Sequence, residues 1–135
     1  MIKKVKTVKE IVVISENRIG ALSTITKVLA DRGINIVAIS AQTAGGIALI
    51  SLVAEDHVRA TDLFARKGIA YQENSALLLD VEDRPGALMR LGKKLAADKI
   101  DILNIYGSQG CGCCPCRVVL VTDNNQRAEV ILRKK

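Results

Sequence analysis

The sequence predicts an α+β fold: two βαββαβ repeats, each an antiparallel sheet with its helices on one face. Three observations predict it. The chain repeats itself, since "NRIGALSTI" at 17–25 resembles "DRPGALMRL" at 83–91. The same shift of 66 carries Ile34-Asn35-Ile36 onto Ile100-Asp101-Ile102 and Ile39 onto Ile105. Within each copy, short β-branched apolar runs give way to apolar residues at helical spacing, then return. Glycines punctuate the joints.

The elements follow in order. Residues 10–15 are a β-branched apolar run and predict a strand. After a turn at Gly20, residues 21–32 carry Leu22, Ile25, Val28 and Leu29 on one face of a helix. Gly33 sits where a left-handed residue ends that helix. Residues 34–42 predict a second strand, Gly45-Gly46 a hairpin turn, and residues 47–54 a third strand. Asp56 is placed to cap a helix running to about Lys67, with Val58, Leu63 and Phe64 as buried candidates. Gly68 ends it, and residues 69–72 predict a fourth strand. This order is the ferredoxin-like split βαβ pattern.

The second copy runs from a strand at 75–81 through a helix at 85–98 to strands at 101–107 and 117–122. A helix at 125–133 closes it, before any fourth strand. The domains predicted are therefore residues 1–73 and residues 74–135. The missing edge strand is supplied by the N-terminal "IKKVKTV", by a partner chain, or not at all. A copy of this size is marginal alone, so the two are expected to pack together.

Composition bounds the function. No apolar run reaches the length of a membrane-spanning helix, and the basic N-terminus lacks the apolar stretch of a signal peptide. A cytoplasmic chain is expected, with no membrane partner. The net charge of +6 is concentrated at the ends: Lys3, Lys4, Lys6 and Lys9 at one, Arg133, Lys134 and Lys135 at the other. Without those seven, 13 basic residues face 14 acidic ones. That reads as solvated, frayed ends and not as a basic face, and aromatic residues are nearly absent. Nucleic acid is not an expected partner.

The stretch "SENRIGALSTITKVLADRGINIVAISAQT" at 15–43 resembles the ACT domain. It is most similar to the serine-binding regulatory domain of bacterial phosphoglycerate dehydrogenase. "VEDRPGALMRLGKKLAADKIDI" at 81–102 resembles it again, so nearly the whole chain looks like a tandem ACT pair with no attached enzyme. The resemblance implies the same βαββαβ fold, amino acids bound at an interface between paired domains, a homodimer, and regulation of another protein. It implies ligand contacts from the first loop and the second strand's start: Ser15, Asn17, Ile19, Gly20 and Asn35. The second copy's counterparts are Asp83, Gly86 and Asp101.

The residue types suit that role in part. An asparagine amide both donates and accepts, matching the carboxylate and ammonium of an amino acid. Gly20 allows close backbone approach, and N–H groups opening the helix at Ala21 can face a carboxylate. Ser15 stands where the family has a loop histidine, and Ile19 where it has a proline, so serine specificity is not carried over. Asp83 and Asp101 accept from an ammonium but repel a carboxylate. Asn17 as a turn residue and Asn35 as a strand starter are the structural alternatives.

Enzyme activity is not expected. The one histidine, His57, sits beside Asp56 at a helix start with no sequence sign of a nucleophile, and reads as a surface residue. The remaining feature is "QGCGCCPC" at 109–116. "LVAED" at 52–56 matches "LVTDN" at 120–124 with a shift of 68, so the second copy gains two residues on this stretch. Cys111, Cys113, Cys114 and Cys116 are all the cysteines of the chain. Four thiolates suit zinc or another thiophilic metal, although structural zinc usually takes two separated pairs. Thiol redox chemistry and packed thiols without a role are the competing readings. The alternative function is thus a metal- or thiol-sensing protein using this hairpin.

Overall fold

The computed structural model describes residues 2–110 and 114–134. The elements are β1 (Ile2–Glu16), α1 (Ala21–Ala30), β2 (Ile36–Ala44), β3 (Ile47–Ala54), α2 (His57–Arg66), β4 (Gln72–Val81), α3 (Ala87–Ala97), β5 (Ile102–Ser108), β6 (Cys116–Thr122) and α4 (Asn125–Arg133). The fold is α+β, with the βαββαβ pattern repeated, antiparallel pairing and four helices. The chain divides into two compact units, Lys9–Asn74 and Met1–Val8 with Ser75–Lys135.

In the unit Lys9–Asn74 the strands run in the order β2–β3–β1. Alternate residues of β1 and β3, Ile11 and Val13 with Ile50, Leu52 and Ala54, form one core with Ile25 and Leu29 of α1 and Ala60 and Phe64 of α2. The period of two on the strands meets the period of 3.6 on the helices, so the helices cover one face. Both helix ends are built as the glycines predict. Gly33 and Gly68 are left-handed, at φ 68° and 72°. Ile34 N donates to Leu29 O and Ile69 N to Phe64 O, satisfying carbonyls at each helix end. Asp56 caps α2 by accepting from Arg59 N at 3.2 Å.

In the other unit the order is β1–β4–β6–β5, with only the first half of β1 taking part. Val5 is buried there among Leu77, Leu79, Leu91, Leu95, Leu120, Ile131 and Leu132. The N-terminal segment is therefore the strand that the second copy lacks, one of the three solutions the sequence leaves open. Arg133 at the end of α4 donates to Val5 O at 2.8 Å.

Several expectations are corrected. The basic N-terminus is not frayed: Lys4 and Lys6 are exposed on either side of buried Val5, in a strand. Residues 69–71 are not a strand, because Ile69 and Tyr71 turn in to pack on the core around Phe64. The strand begins instead at Gln72 and runs to Val81, straight through Asn74 and Ser75. Leu22 and Val58 are exposed. In α2 the inward face is Ala60, Thr61 and Phe64, a phase that turns Val58 out and His57 in. His57 is accordingly half-buried, its Nε2 2.7 Å from Glu73 Oε1 and its Nδ1 buried without a partner.

Candidate functional sites at the helix-opening loops

In the first copy the polypeptide leaves β1 at Glu16 and turns into α1 within four residues. Asn17 N donates to Gly46 O at 2.9 Å, tying the loop to the β2–β3 hairpin, and Ala21 N donates to Arg18 O at 3.1 Å. Gly20 takes φ 88°, a conformation that side chains disfavour, and serves as N-cap without any side-chain cap bond. Of the first-turn N–H groups of α1, that of Ala21 is taken by Arg18 O, and no side chain caps those of Leu22 and Ser23. In front of them lies a cavity of about 560 Å³. Asn17, Arg18, Ser23, Gln42 and Thr43 give it polar groups; Leu22, Ala41, Ala48 and Ile50 give it an apolar floor. Arg18 is its charged lining residue, loosely paired with exposed Glu16 at 3.5 Å.

Asn17 and Gly20 thus stand in one cavity. Ser15 is adjacent, paired with Ala48 across β1 and β3, with its hydroxyl donating to Glu16 O. Ile19 is fully exposed at the loop tip. Asn35 is not brought to Asn17. It lies beyond the far end of α1, where its Oδ1 accepts from Ile36 N and its carbonyl from Glu55 N. The helix between them, ten residues long, separates the two by about 15 Å.

The second copy builds the same site differently. Gly86 takes φ 89° as the uncapped start of α3, and Ala87 N donates to Arg84 O. The cavity there is about 250 Å³, lined by Asp83, Arg84, Gly86, Ala87, Leu88 and Met89 at positions equivalent to six lining residues of the first. Val81, Glu82 and Cys116 complete it. Glu82 is held by Arg84 at 2.8 Å. Asp101, like Asn35, is elsewhere: its N–H donates to Asp123 Oδ1 and its carbonyl accepts from Asp123 N.

Cys116 enters by strand register. Ser15 faces Ala48 in the first copy, and Val81, the counterpart of Ser15, faces Cys116 in the second. Its thiol donates to Ser108 O at 2.6 Å. Cys114 is exposed, while Cys111 and Cys113 lie outside the described residues. Among the described residues no group of three or more His, Cys, Asp or Glu is placed to hold a metal ion. No described helix is long and apolar enough to cross a membrane. Sequence reasoning missed Arg18, Gln42, Thr43 and the cavity role of Cys116. The arginine had a signal, since Arg18 and Arg84 share a repeat position; the others depend on cross-strand register.

Residues 9–69 match the ACT domain model. No curated protein matches the chain by sequence. Among solved structures, protein BT0572 from Bacteroides thetaiotaomicron is similar with TM-score 0.86 and 21% identity, over 96% of this chain and 88% of that one. The ligand-free regulatory subunit of aspartate kinase from Thermus thermophilus is similar with TM-score 0.70 and 14% identity, over 97% and 95%. Aspartate kinase from Clostridium acetobutylicum is similar with TM-score 0.62 and 15% identity, over 95% of this chain and 33% of the enzyme. At these identities the likeness is one of fold.

Proposed function

We propose that this chain is a regulatory module that binds an amino acid in the cavity at the start of α1 and carries no catalysis of its own. One observation carries the reading: Asn17, Arg18 and Ser23 surround an uncapped helix start above an apolar floor. The ligand's carboxylate takes the N–H groups of Leu22 and Ser23 and the Arg18 guanidinium, where helix dipole and charge act together. The Asn17 amide accepts from the ammonium. Leu22, Ala41 and Ile50 receive the side chain. The match to the ACT domain supports this, as do similar folds that serve as aspartate kinase regulatory subunits. The cavity also draws on β2, the outer strand of its unit. In this proposal a second copy pairs there and the ligand strengthens the homodimer, which signals to a protein partner in the cytoplasm.

A thermal-shift screen of the twenty amino acids tests it. At a hundred times its Kd, the true ligand adds about 2.7 kcal/mol of stability. Asn17→Ala abolishes that shift while leaving the unliganded Tm near wild type. If none of the twenty moves the Tm, the proposal fails.

A further inference from the structure

Cys116 makes the two loop cavities chemically unlike. The first has an alanine wall at Ala48, and the second has a thiol at the same register position. Around that thiol the second cavity offers both signs of charge. Asp83 is an exposed carboxylate that enters no ion pair among the described residues. Arg84 lines the opposite sign, though paired with Glu82 at 2.8 Å in the same cavity, and the Arg90 guanidinium lies over Gly86, its Nη1 3.0 Å from where a Cβ would stand. Met89 adds a polarisable, adaptable thioether where the first copy has Ser23. At about 250 Å³ the space suits a small zwitterion and not a peptide-sized disulfide.

We infer that the second cavity takes a sulfur-bearing α-amino acid, captured from its disulfide by exchange with Cys116. This rests on the reading of the loop cavities as amino-acid sites. The Cys116 thiol gives up to solvent the proton it now shares with Ser108 O. The thiolate attacks one sulfur of the ligand disulfide, whose S–S bond breaks as the new one forms. One half of the ligand stays, joined to Cys116, and the other leaves as a thiolate that takes a proton from water. The ligand disulfide is the only oxidant required. Asp83 receives the retained ammonium, and the Leu88 and Met89 N–H groups receive the carboxylate, with Arg84 shared between it and Glu82. The reaction fills the cavity, so the thiol state of Cys116 controls this site and leaves the first cavity untouched.

Chirality tests the inference. In the full chain, Cys111, Cys113 and Cys114 are replaced by serine, leaving Cys116; a sister variant keeps only Cys114. Each is mixed with L-cystine, D-cystine or cystamine, and adduct formation is followed by mass spectrometry. Cys116 is expected to react about tenfold faster with L-cystine than with D-cystine or cystamine, the worth of one well-placed polar contact. Exposed Cys114 shows no preference, and Asp83→Asn removes that of Cys116. Equal rates for the two enantiomers at Cys116, or an inert Cys116 beside a reactive Cys114, overturn it. If serine disturbs the circular dichroism spectrum, alanine replaces it. The twenty-amino-acid screen reads reversible binding blocked by Asn17→Ala, so failure there and failure here are separate results.

Discussion

Lys99 holds a left-handed backbone, φ 57°, at the repeat position that Gly33 fills with φ 68° in the first copy. Both residues end a helix in the same way, for Ile100 N donates to Leu95 O as Ile34 N does to Leu29 O. A Cβ in this conformation costs roughly 1–2 kcal/mol, offset in part by the smaller entropy that lysine loses on folding. Lys99→Gly is therefore expected to stabilise the protein by about 0.5–1 kcal/mol, and Gly33→Ala to destabilise it by about 1 kcal/mol. Urea midpoints at unchanged slope check both, and a Lys99→Gly midpoint below wild type contradicts the account. This strain was not legible in the sequence. "DRGIN" announces its glycine, whereas "ADKID" shows the same bend only once aligned on the repeat. The loop glycines Gly20 and Gly86 and the cap Asp56 were legible, because each role is local. The cavity walls were not, because Ala48 and Cys116 reach their places through pairing with β1 and β4.

At the scale of elements, α4 is fastened to the first half of β1 by the bond from Arg133 to Val5 O and by one carboxylate. Glu129 accepts from Arg133 at 2.8 and 3.1 Å and from Thr7 at 3.2 Å. The hydrogen bond from Arg133, then that from Thr7, hold its carboxyl below the usual range. A depressed folded-state value means the ionised form is favoured by folding. Its contribution is full above the unfolded carboxylate range and disappears as pH falls through the lower, folded value. Glu129→Gln is expected to lower stability at pH 7 and to flatten the acid limb of the stability curve. Urea midpoints from pH 7 to pH 3 read this, and a variant with an acid limb parallel to wild type refutes it. Helix α4 itself was legible to the residue, as was β3, since each has clean patterning and clear end signals. Strand β4 was not, because Asn74 and Ser75 read locally as a break yet lie within the strand, and the core around Phe64 draws residues 69–71 out of the sheet.

For the whole molecule, sequence order and unit membership disagree. The chain begins in one unit, passes through Lys9–Asn74, and returns to finish the first at Lys135. Val5 shares a core with Ile131 and Leu132. The duplication was legible from two short motifs, but this return was one of three open solutions, since edge pairing is a long-range choice. Deleting residues 2–8 is expected to remove hydrogen-exchange protection from the amides of β4, β6 and α4 while those of α1 and α2 keep most of theirs. Uniform loss across all four helices would show that the units do not have separate stabilities.

That return also sets an order of events during protein synthesis. Residues 2–8 leave the ribosome before their neighbours in β4, which follow about 70 residues later, and α4 follows those. The stretch 9–74 meanwhile holds everything its own core requires. This half-strand is therefore an orphan while the stretch between is made, and its lysines at 3, 4 and 6 keep it hydrated and unattractive to other strands until its seat exists.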